Sequence, residues 1–165
     1  MARVLIVGGG CRGRRLAAGL VAQGHAVRIT TRTLAGCAAI ERCGAECFVG
    51  DPDRLATLTG ALEHVTVACW LLARSSGPPE RTRALRSSRA QLFLERAVDT
   101  TVRGFVYEAA AVPAVGEVEA DDERALRAIA ARSAIPLAIV TADPSRVEAW
   151  LAQARDAIDG LLDGG

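Results

Sequence analysis

The sequence predicts an α/β fold: a single doubly wound parallel sheet of six strands, covered on both faces by about six helices. Short β-branched runs alternate with longer stretches of helical periodicity along the whole chain. The chain has 165 residues, of which 50% are hydrophobic, enough for one domain with its own core. Regular alternation of strands and helices is typical of a parallel sheet, because each parallel crossover needs a long connection, usually a helix.

The predicted strands are short apolar runs rich in valine and isoleucine. They span residues 3–7, 26–31, 45–49, 65–72, 104–108 and 136–141. Runs that are apolar at nearly every position are typical of strands buried between two layers of helices.

The predicted helices carry apolar side chains at three- and four-residue spacing. They span residues 12–23, 34–42, 53–62, 80–98, 119–133 and 145–162. Gly24 and Gly44 follow the first two, at the position where many helices end in a left-handed conformation. The clearest breaks are the loops 74–79 and 109–118, and neither is long enough to separate two domains. Residues 1–165 are therefore expected to form one domain, without a separate substrate domain.

The composition excludes several classes of function. All 20 basic residues are arginines, and the formal net charge is +1. The absence of lysine excludes Schiff-base chemistry, a Walker-type phosphate lysine and a tyrosine–lysine proton-transfer pair. A charge so near zero argues against nucleic-acid binding, and no apolar stretch approaches the about 18 residues of a membrane span.

The five cysteines fall outside any CxxC pattern. An odd number at irregular spacing predicts reduced thiols and a cytoplasmic protein. Their spacing to His25 and His64 is poor for metal ligation, so no metal site is expected.

A glycine-rich segment directly follows the first strand. Gly8, Gly10 and Gly13 fit the pattern GxGxxG between a strand and a helix, with a second strand within about 30 residues. The first glycine permits a tight turn, the second lets the backbone approach a pyrophosphate, and the third allows close helix–strand packing. Cys11 and Arg12 lie within this turn and are expected to contact the cofactor, and the alternative for Cys11 is a small residue that only fills the turn. It predicts a dinucleotide site of the Rossmann type, and a glycine turn without a ligand is the alternative.

The end of the second strand favours NADP(H) over NAD(H). An NAD site has an acidic residue here for the ribose hydroxyls, whereas this chain has Thr31 and Arg32, and the next acid is Glu41. Arginine suits a 2′-phosphate because its planar guanidinium binds phosphate oxygens in a bidentate way. Arg12 could assist. NAD(H) remains the alternative cofactor, and a solvated surface role is the alternative for Arg32.

Together these segments resemble the atypical and extended branches of the short-chain dehydrogenase/reductase superfamily, which include NAD-dependent epimerase/dehydratase-like proteins. The matching pieces are VGGGCRG at 7–13, GDPDRLATLTGAL at 50–62, the fourth strand at 65–72 and GFVYE at 104–108. The resemblance covers nearly the whole chain.

The resemblance implies further cofactor contacts. Asp51 would lie near the adenine ring, and Ala68, Trp70 and Leu71 at the fourth strand would line the cofactor. The alternative for Asp51 is a cap of the helix that follows.

The catalytic residues of that superfamily are missing. Its active members place a serine or threonine after the fifth strand and Tyr-x-x-x-Lys on the next helix, where this chain has alanines and neither Tyr nor Lys. Tyr107 lies within the fifth strand, where a structural role is expected. Glu108 at the strand's carboxyl end is the one weak candidate for an acid or base, and a helix cap or surface salt bridge is its alternative.

The sequence thus favours a protein that binds or senses NADP(H) without catalysis. A small NAD(P)H-dependent oxidoreductase or epimerase-like enzyme with unusual acid/base groups is the second hypothesis, and an interaction module with a vestigial site is the third. No substrate is indicated. Helices 80–98 and 119–133 correspond to those that pair related proteins, so a homodimer is expected, with Leu85, Leu92 and Phe93 as its apolar face. The alternative is that these side chains pack only on their own sheet.

Overall fold

The computed structural model describes residues 1–109 and 118–164, and it contains one six-stranded sheet. The strands are β1 Arg3–Gly8, β2 Ala26–Thr31, β3 Glu46–Val49, β4 Val67–Leu71, β5 Gly104–Glu108 and β6 Leu137–Val140. They lie in the order β3-β2-β1-β4-β5-β6, and every neighbouring pair is parallel. The predicted fold class is confirmed. The strand order reverses between β1 and β4, which is where open α/β sheets bind ligands.

Six α-helices are found in the described ranges. They are α1 Gly10–Ala22, α2 Cys37–Glu41, α3 Pro79–Arg86, α4 Ser88–Ala97, α5 Val118–Ser133 and α6 Val147–Asp163. The helix expected over 53–62 is a 3₁₀ helix, Leu55–Leu62, and a short 3₁₀ turn precedes α2 at Leu34–Gly36. The loop expected over 109–118 falls mostly on 110–117, outside the described residues.

The helix expected over 80–98 is broken in two at Ser87. The backbone of Ser87 has φ −108° and ψ −95°, and its hydroxyl donates to the Arg83 carbonyl at 3.0 Å. A serine side chain that bonds the preceding turn in this way competes with the regular helical ladder. The apolar periodicity continues through the break, so the sequence does not signal it.

The core has two halves, one on each face of the sheet. One face packs Trp70, Phe93 and Phe105 against the 3₁₀ helix and the helices α4 and α5. The other packs Leu16 and Trp150 of α1 and α6 against β1 and β4. All side chains of β4 and β5 are buried. Both strands therefore form the centre of a sheet that is covered on both sides.

The apolar face expected for a homodimer is only partly on the surface. Leu85 and Phe93 are fully buried, so the expectation that they contact a second copy is wrong. Both point to the sheet because α3 and α4 bury their apolar sides on it. Leu92 is 46% exposed, and α4 and α5 are joined by the Glu95–Arg132 ion pair at 2.7 Å. The homodimer itself stays a prediction.

The expectation of five reduced thiols is wrong for one pair. Cys37 and Cys47 form a disulfide, with their Cα atoms 5.3 Å apart. Cys37 begins α2 and Cys47 lies on β3, and α2 packs along that strand because Ile40 is buried there. Cys11, Cys43 and Cys69 are free, and burial raises the pKa of the Cys69 thiol.

Within residues 1–109 and 118–164, no group of three or more His, Cys, Asp or Glu side chains is placed to hold a metal ion. No helix in these ranges is long and apolar enough to cross a membrane.

Candidate functional site

A cavity of about 580 Å³ lies along the carboxyl edge of the sheet. Its walls come from the loops that follow β1, β2, β3, β4 and β6, together with the first turns of α1 and α3. The cavity therefore spans the point where the strand order reverses, which is the expected place for a ligand in this architecture.

The glycine turn forms the floor of the cavity. Gly8, Gly9 and Gly10 all have positive φ, at 86°, 82° and 52°. A Cβ on Gly8 would lie 2.4 Å from the Leu72 side chain, and one on Gly13 would lie 2.8 Å from the Gly8 carbonyl oxygen. A Cβ on Gly10 would meet nothing within 4 Å. The first and third glycines thus allow a tight turn and close packing, while the second leaves the backbone open to the cavity.

Helix α1 begins at Gly10, two residues earlier than expected, and no side chain caps it. The residue before it is Gly9, whose own N–H donates to the Leu71 carbonyl at 2.8 Å. The first-turn N–H groups of a helix have no intrahelical acceptors and carry partial positive charge. An uncapped helix start beside a cavity is therefore suited to an anion.

The end of β2 supplies Thr31 and Arg32, and both line the cavity. Thr31 Oγ1 donates to the Thr33 carbonyl at 3.2 Å, which orders the turn, and a Cβ on Gly36 would overlap this hydroxyl. Arg32 is exposed, and within the part of the chain that the structure describes its guanidinium has neither an ion pair nor a hydrogen bond. This side chain is available to a ligand.

Asp51 makes a local contact. Its Oδ1 accepts a hydrogen bond from the Asp53 N–H at 3.0 Å, while Gly50 and Pro52 beside it line the cavity. The Asp53 carboxylate forms an ion pair with Arg81 of α3. The alternative interpretation of Asp51, a cap of the helix that follows, is wrong, because the 3₁₀ helix Leu55–Leu62 has no side-chain cap and the residue before it is Arg54. Its contact with an adenine ring stays a prediction.

The side chains expected at β4 divide between the cavity and the core. Leu71 lines the cavity, but Ala68 and Trp70 are buried, and the Trp70 indole N–H donates to the Leu85 carbonyl at 2.7 Å. Their interpretation as cofactor lining is wrong. Neighbouring side chains on a strand point to opposite faces, so Trp70 packs under α4, where its ring centroid lies 5.0 Å from that of Phe93.

Cys11 is exposed on the first turn of α1 and is not among the residues that line the cavity. Its sulfur accepts a hydrogen bond from Arg14 Nη2 at 3.0 Å. Gly13 is buried beneath the turn, as its packing role requires. A direct cofactor contact by Cys11 stays a prediction.

Glu108 is buried, with 1% of its surface exposed, and it is bonded at both oxygens. Oε1 accepts from Arg12 Nη1 and from the Trp150 indole N–H, each at 2.8 Å, and Oε2 accepts from the Ala73 N–H at 3.1 Å. The surface salt bridge and the helix cap expected as alternatives are both wrong. These three hydrogen bonds join β5 to α1, α6 and the loop after β4.

Arg12 takes part in both the cavity and this buried cluster. Its guanidinium carbon lies 4.4 Å from the centroid of the Trp150 ring, and its side chain is 14% exposed. The cluster lies where β5 and α6 meet, and β1 and β4 separate β5 from β2. Arg12 is therefore held by a partner within the fold, and its assistance to Arg32 stays a prediction.

Tyr107 has the structural role that was expected. Its side chain is buried, and its hydroxyl donates to the Arg86 carbonyl at 2.8 Å. It packs among the apolar residues of the sheet face that α4 and α5 cover.

Sequence reasoning missed the residues that α3 and the β4–α3 loop contribute. Arg74, Ser75, Ser76 and Arg81 all line the cavity, and Arg81 Nη1 donates to the Ser76 carbonyl at 2.6 Å. The available signal was the position of the loop, because loops at the carboxyl ends of parallel strands form the ligand site.

The cavity has the donor set that a phosphate-rich cofactor needs. Of the residues that the structure describes, four arginines line it and no aspartate or glutamate does. The Ser75 hydroxyl oxygen has no hydrogen-bond partner among the described residues, but it is too buried to contact a ligand, so the donors of the cavity are its arginines. Together with the uncapped start of α1 and the open backbone at Gly10, these groups fit a dinucleotide.

Comparisons with known proteins identify the fold. No family model and no curated protein matches the sequence. Among solved structures, the chain is similar to the protein gox2253, with a TM-score of 0.68 and 20% identity over 84% of this chain and 50% of that one. It is also similar to UDP-glucose 4-epimerase from Thermotoga maritima, solved with UDP-glucose (TM-score 0.65, 16% identity, 83% and 54% covered).

A third similar structure is the triphenylmethane reductase of Citrobacter sp. complexed with NADP(H). Its TM-score is 0.62 and its identity 18%, over 84% of this chain and 48% of the reductase. The chain spans about half the length of these proteins. At this level of identity the likeness shows a shared fold.

Proposed function

We propose that this chain binds a nicotinamide dinucleotide, with NADP(H) preferred, in the cavity at the carboxyl edge of the sheet. The observation that carries the proposal is the cavity's lining. It runs from the glycine turn to Arg32, and the described residues contribute four arginines and no carboxylate to it. NADP(H) carries a pyrophosphate and a 2′-phosphate, and a lining of this charge compensates both.

Each phosphate has a matching part of the cavity. The pyrophosphate would lie over Gly8 and Gly10, where the open backbone and the first turn of α1 offer N–H donors. The 2′-phosphate would lie on Arg32, with Thr31 beside it and Asp51 towards the adenine ring. NAD(H), which lacks that phosphate, would bind at the same place more weakly.

We propose that the bound dinucleotide is held or sensed, without the catalytic set of the reductases. Glu108 supports this role, because both of its oxygens are hydrogen-bonded within the fold and it does not line the cavity. The chain has no lysine to pair with a catalytic tyrosine. The proposed outcome of binding is a change of state that a partner can recognise.

The second candidate is a small NAD(P)H-dependent oxidoreductase or epimerase-like enzyme. One observation favours it: the cavity continues past the glycine turn to Pro144 and Ser145 after β6, which leaves room for a second ligand. Incubation with NADPH and a panel of aldehydes, ketones and quinones distinguishes the two. The sensing role predicts no turnover above background, and saturable turnover of one of these substrates would support the enzyme.

The preference for NADP(H) is tested at Arg32. Arg32→Asp replaces a phosphate-binding guanidinium with a carboxylate, so NADPH affinity should fall roughly 10- to 100-fold, as expected for loss of a charge-assisted contact. NADH affinity should fall by less than about threefold or rise, since NADH carries a ribose hydroxyl at this position, which can donate to the new carboxylate. The measurement is the fluorescence of each reduced dinucleotide during titration.

The matched control is Arg42→Asp, which makes the same charge change on an exposed residue at the end of α2, away from the cavity. It should leave both affinities near those of the parent protein. Equal losses of NADPH and NADH affinity in Arg32→Asp would contradict recognition of the 2′-phosphate.

A further inference from the structure

The turn that carries Arg32 has few contacts with the core. No side chain in residues 32–39 is fully buried, and Leu34 is 80% exposed. The first buried residue after β2 is Ile40, near the end of α2. Helix α2 has only five residues, and a helix of this length is not stable without tertiary contacts. The conformation of the turn therefore depends on the bonds at its two ends.

Both ends of the turn are fixed beside the cavity. At its start, Thr31 Oγ1 donates to the Thr33 carbonyl at 3.2 Å, and a Cβ on Gly36 would overlap this hydroxyl. At its end, Cys37 is joined to Cys47 of β3 by the disulfide. The residues between Thr31 and Cys37 thus form a short loop with a covalent bond at its far side.

The disulfide attaches this loop to the wall of the cavity. Cys47 is the register partner of Ile29, which lies two residues before Thr31 on β2. Gly50 directly follows β3 and lines the cavity, and its N–H donates to the Thr31 carbonyl at 2.8 Å. The bond therefore holds the turn with Arg32 against the same two strands that form the proposed 2′-phosphate position.

A reductant can reach the disulfide. Both of its cysteines are half-buried, and β3 is the edge strand of the sheet. A small dithiol would open the bond in two steps: its thiolate attacks one sulfur to form a mixed disulfide, and its second thiol then displaces that cysteine. The protein gains two electrons and two protons as two cysteine thiols, and the dithiol leaves as a cyclic disulfide.

We propose that the Cys37–Cys47 disulfide positions Arg32 for the 2′-phosphate, so that the redox state of this pair sets the preference for NADP(H) over NAD(H). The inference rests on the proposed function, in which Arg32 contacts that phosphate. With the disulfide intact, the turn is ordered before the ligand arrives. After reduction, binding must order the turn, and ordering even one residue lowers affinity by roughly five- to thirtyfold. NAD(H) lacks the 2′-phosphate and depends less on the turn.

The coupling acts in both directions. If reduction weakens the binding of NADP⁺, saturating NADP⁺ must make the disulfide harder to reduce by the same factor. The ratio of reduced to oxidised dithiothreitol at half-reduction should thus rise at least about fivefold with saturating NADP⁺. Saturating NAD⁺ should change it less than about twofold, since NAD⁺ has no phosphate at the turn.

The test measures NADPH and NADH affinities by fluorescence titration of the oxidised protein, the reduced protein and the double variant Cys37→Ser, Cys47→Ser. The matched control is Cys43→Ser, the same substitution at a free cysteine of this segment. Ile158→Ala controls for stability, because it removes buried volume on α6, which packs on β5 and β6. Thiol titration follows the redox state, with three free thiols expected before reduction and five after it.

The ratio of NADPH affinity to NADH affinity should fall at least about fivefold on reduction, and by a similar factor in the double variant. Reductant should not change the ratio in the double variant any further. Cys43→Ser should respond to reductant as the parent does, and oxidised Ile158→Ala should keep the parent's ratio. Amide hydrogen exchange over residues 32–41 should be faster in the reduced protein.

An unchanged affinity ratio after complete reduction would overturn the inference, as would an equal fall of the ratio in Ile158→Ala. Five free thiols in the air-oxidised parent would also overturn it. If the oxidised protein binds neither dinucleotide, the proposed function fails. Hydrogen exchange over residues 32–41 then tests the ordering of the turn by itself: faster exchange on reduction supports it, and unchanged exchange overturns it.

Discussion

The two ends of the cavity are held together by different kinds of contact. At the β1–β2 end, three glycines with positive φ form the turn, and the contacts that define it are between backbone atoms. At the β4–β6 end, the structure is fixed by side chains, chiefly the buried contacts of Glu108 with Arg12 and Trp150. The first end is therefore sensitive to added atoms, and the second to lost charges. A single motif encodes the first, whereas three segments distant in sequence form the second.

The largest effect is expected from Glu108→Ala. It leaves the Arg12 guanidinium, 14% exposed, without its partner, and breaking a buried ion pair costs about 3–5 kcal/mol of unfolding free energy. Urea unfolding of the parent and the variant measures the loss.

The matched control for that pair is Glu148→Ala, which breaks the Arg15–Glu148 ion pair on the surface. Those side chains are 53% and 81% exposed, so the loss should be below about 1 kcal/mol. Similar losses in the two variants would show that the Glu108 cluster does not hold the β4–β6 end together.

The next effect concerns the disulfide that flanks the β1–β2 end. Cys37 and Cys47 are 10 residues apart, and closing a loop of this size stabilises a fold by about 3 kcal/mol in the chain-entropy model. Reduction, or the double substitution Cys37→Ser and Cys47→Ser, should lower the Tm by roughly 6–12 °C. Addition of reductant to the double variant should have no further effect. A Tm of the parent that is insensitive to reductant would mean that the thiols are not joined in solution.

A smaller effect distinguishes two glycines of the same turn. Gly13→Ala places a Cβ 2.8 Å from the Gly8 carbonyl oxygen, and overpacking of this kind costs about 1–3 kcal/mol of stability. Gly10→Ala meets no protein atom within 4 Å, so its cost is the smaller strain of a left-handed alanine, about 1 kcal/mol. Its methyl group would instead occupy the space proposed for the pyrophosphate.

The two variants are compared by thermal unfolding and by NADPH titration. Gly10→Ala should lose more NADPH affinity relative to its loss of stability than Gly13→Ala. The reverse ranking would contradict the placement of the pyrophosphate over Gly10.

The same difference between the two ends of the cavity explains which features could be predicted from the sequence. Strand β5 and the glycine turn were predictable, because buried parallel strands and positive-φ turns each restrict the residue types that can occupy them. The contact between Arg12 and Glu108 was not, since the two residues are 96 positions apart and each is also compatible with the surface. The sequence predicts cofactor contacts for both Trp70 and Leu71, but only Leu71 lines the cavity. A strand with both faces buried has no alternation of polar and apolar residues, so the sequence does not show which face each side chain takes.

The local details that escaped prediction have local causes. Ser87 breaks a helix with a hydroxyl bond to the preceding turn, although the apolar pattern continues through it. Cys37 and Cys47 meet only because α2 lies along β3, which no spacing rule reveals. The Ser75 hydroxyl is likewise defined by the burial that the folded loop imposes.

The central claim, that the cavity binds a nicotinamide dinucleotide, is tested most directly by calorimetric titration of NADPH into the parent protein. One molecule of NADPH should bind per chain, and it should bind more tightly than NADH. The double variant Gly10→Ala, Arg32→Asp lacks both the pyrophosphate contact and the 2′-phosphate contact, so it should give no heat of binding. Absence of binding at millimolar NADPH would contradict the claim.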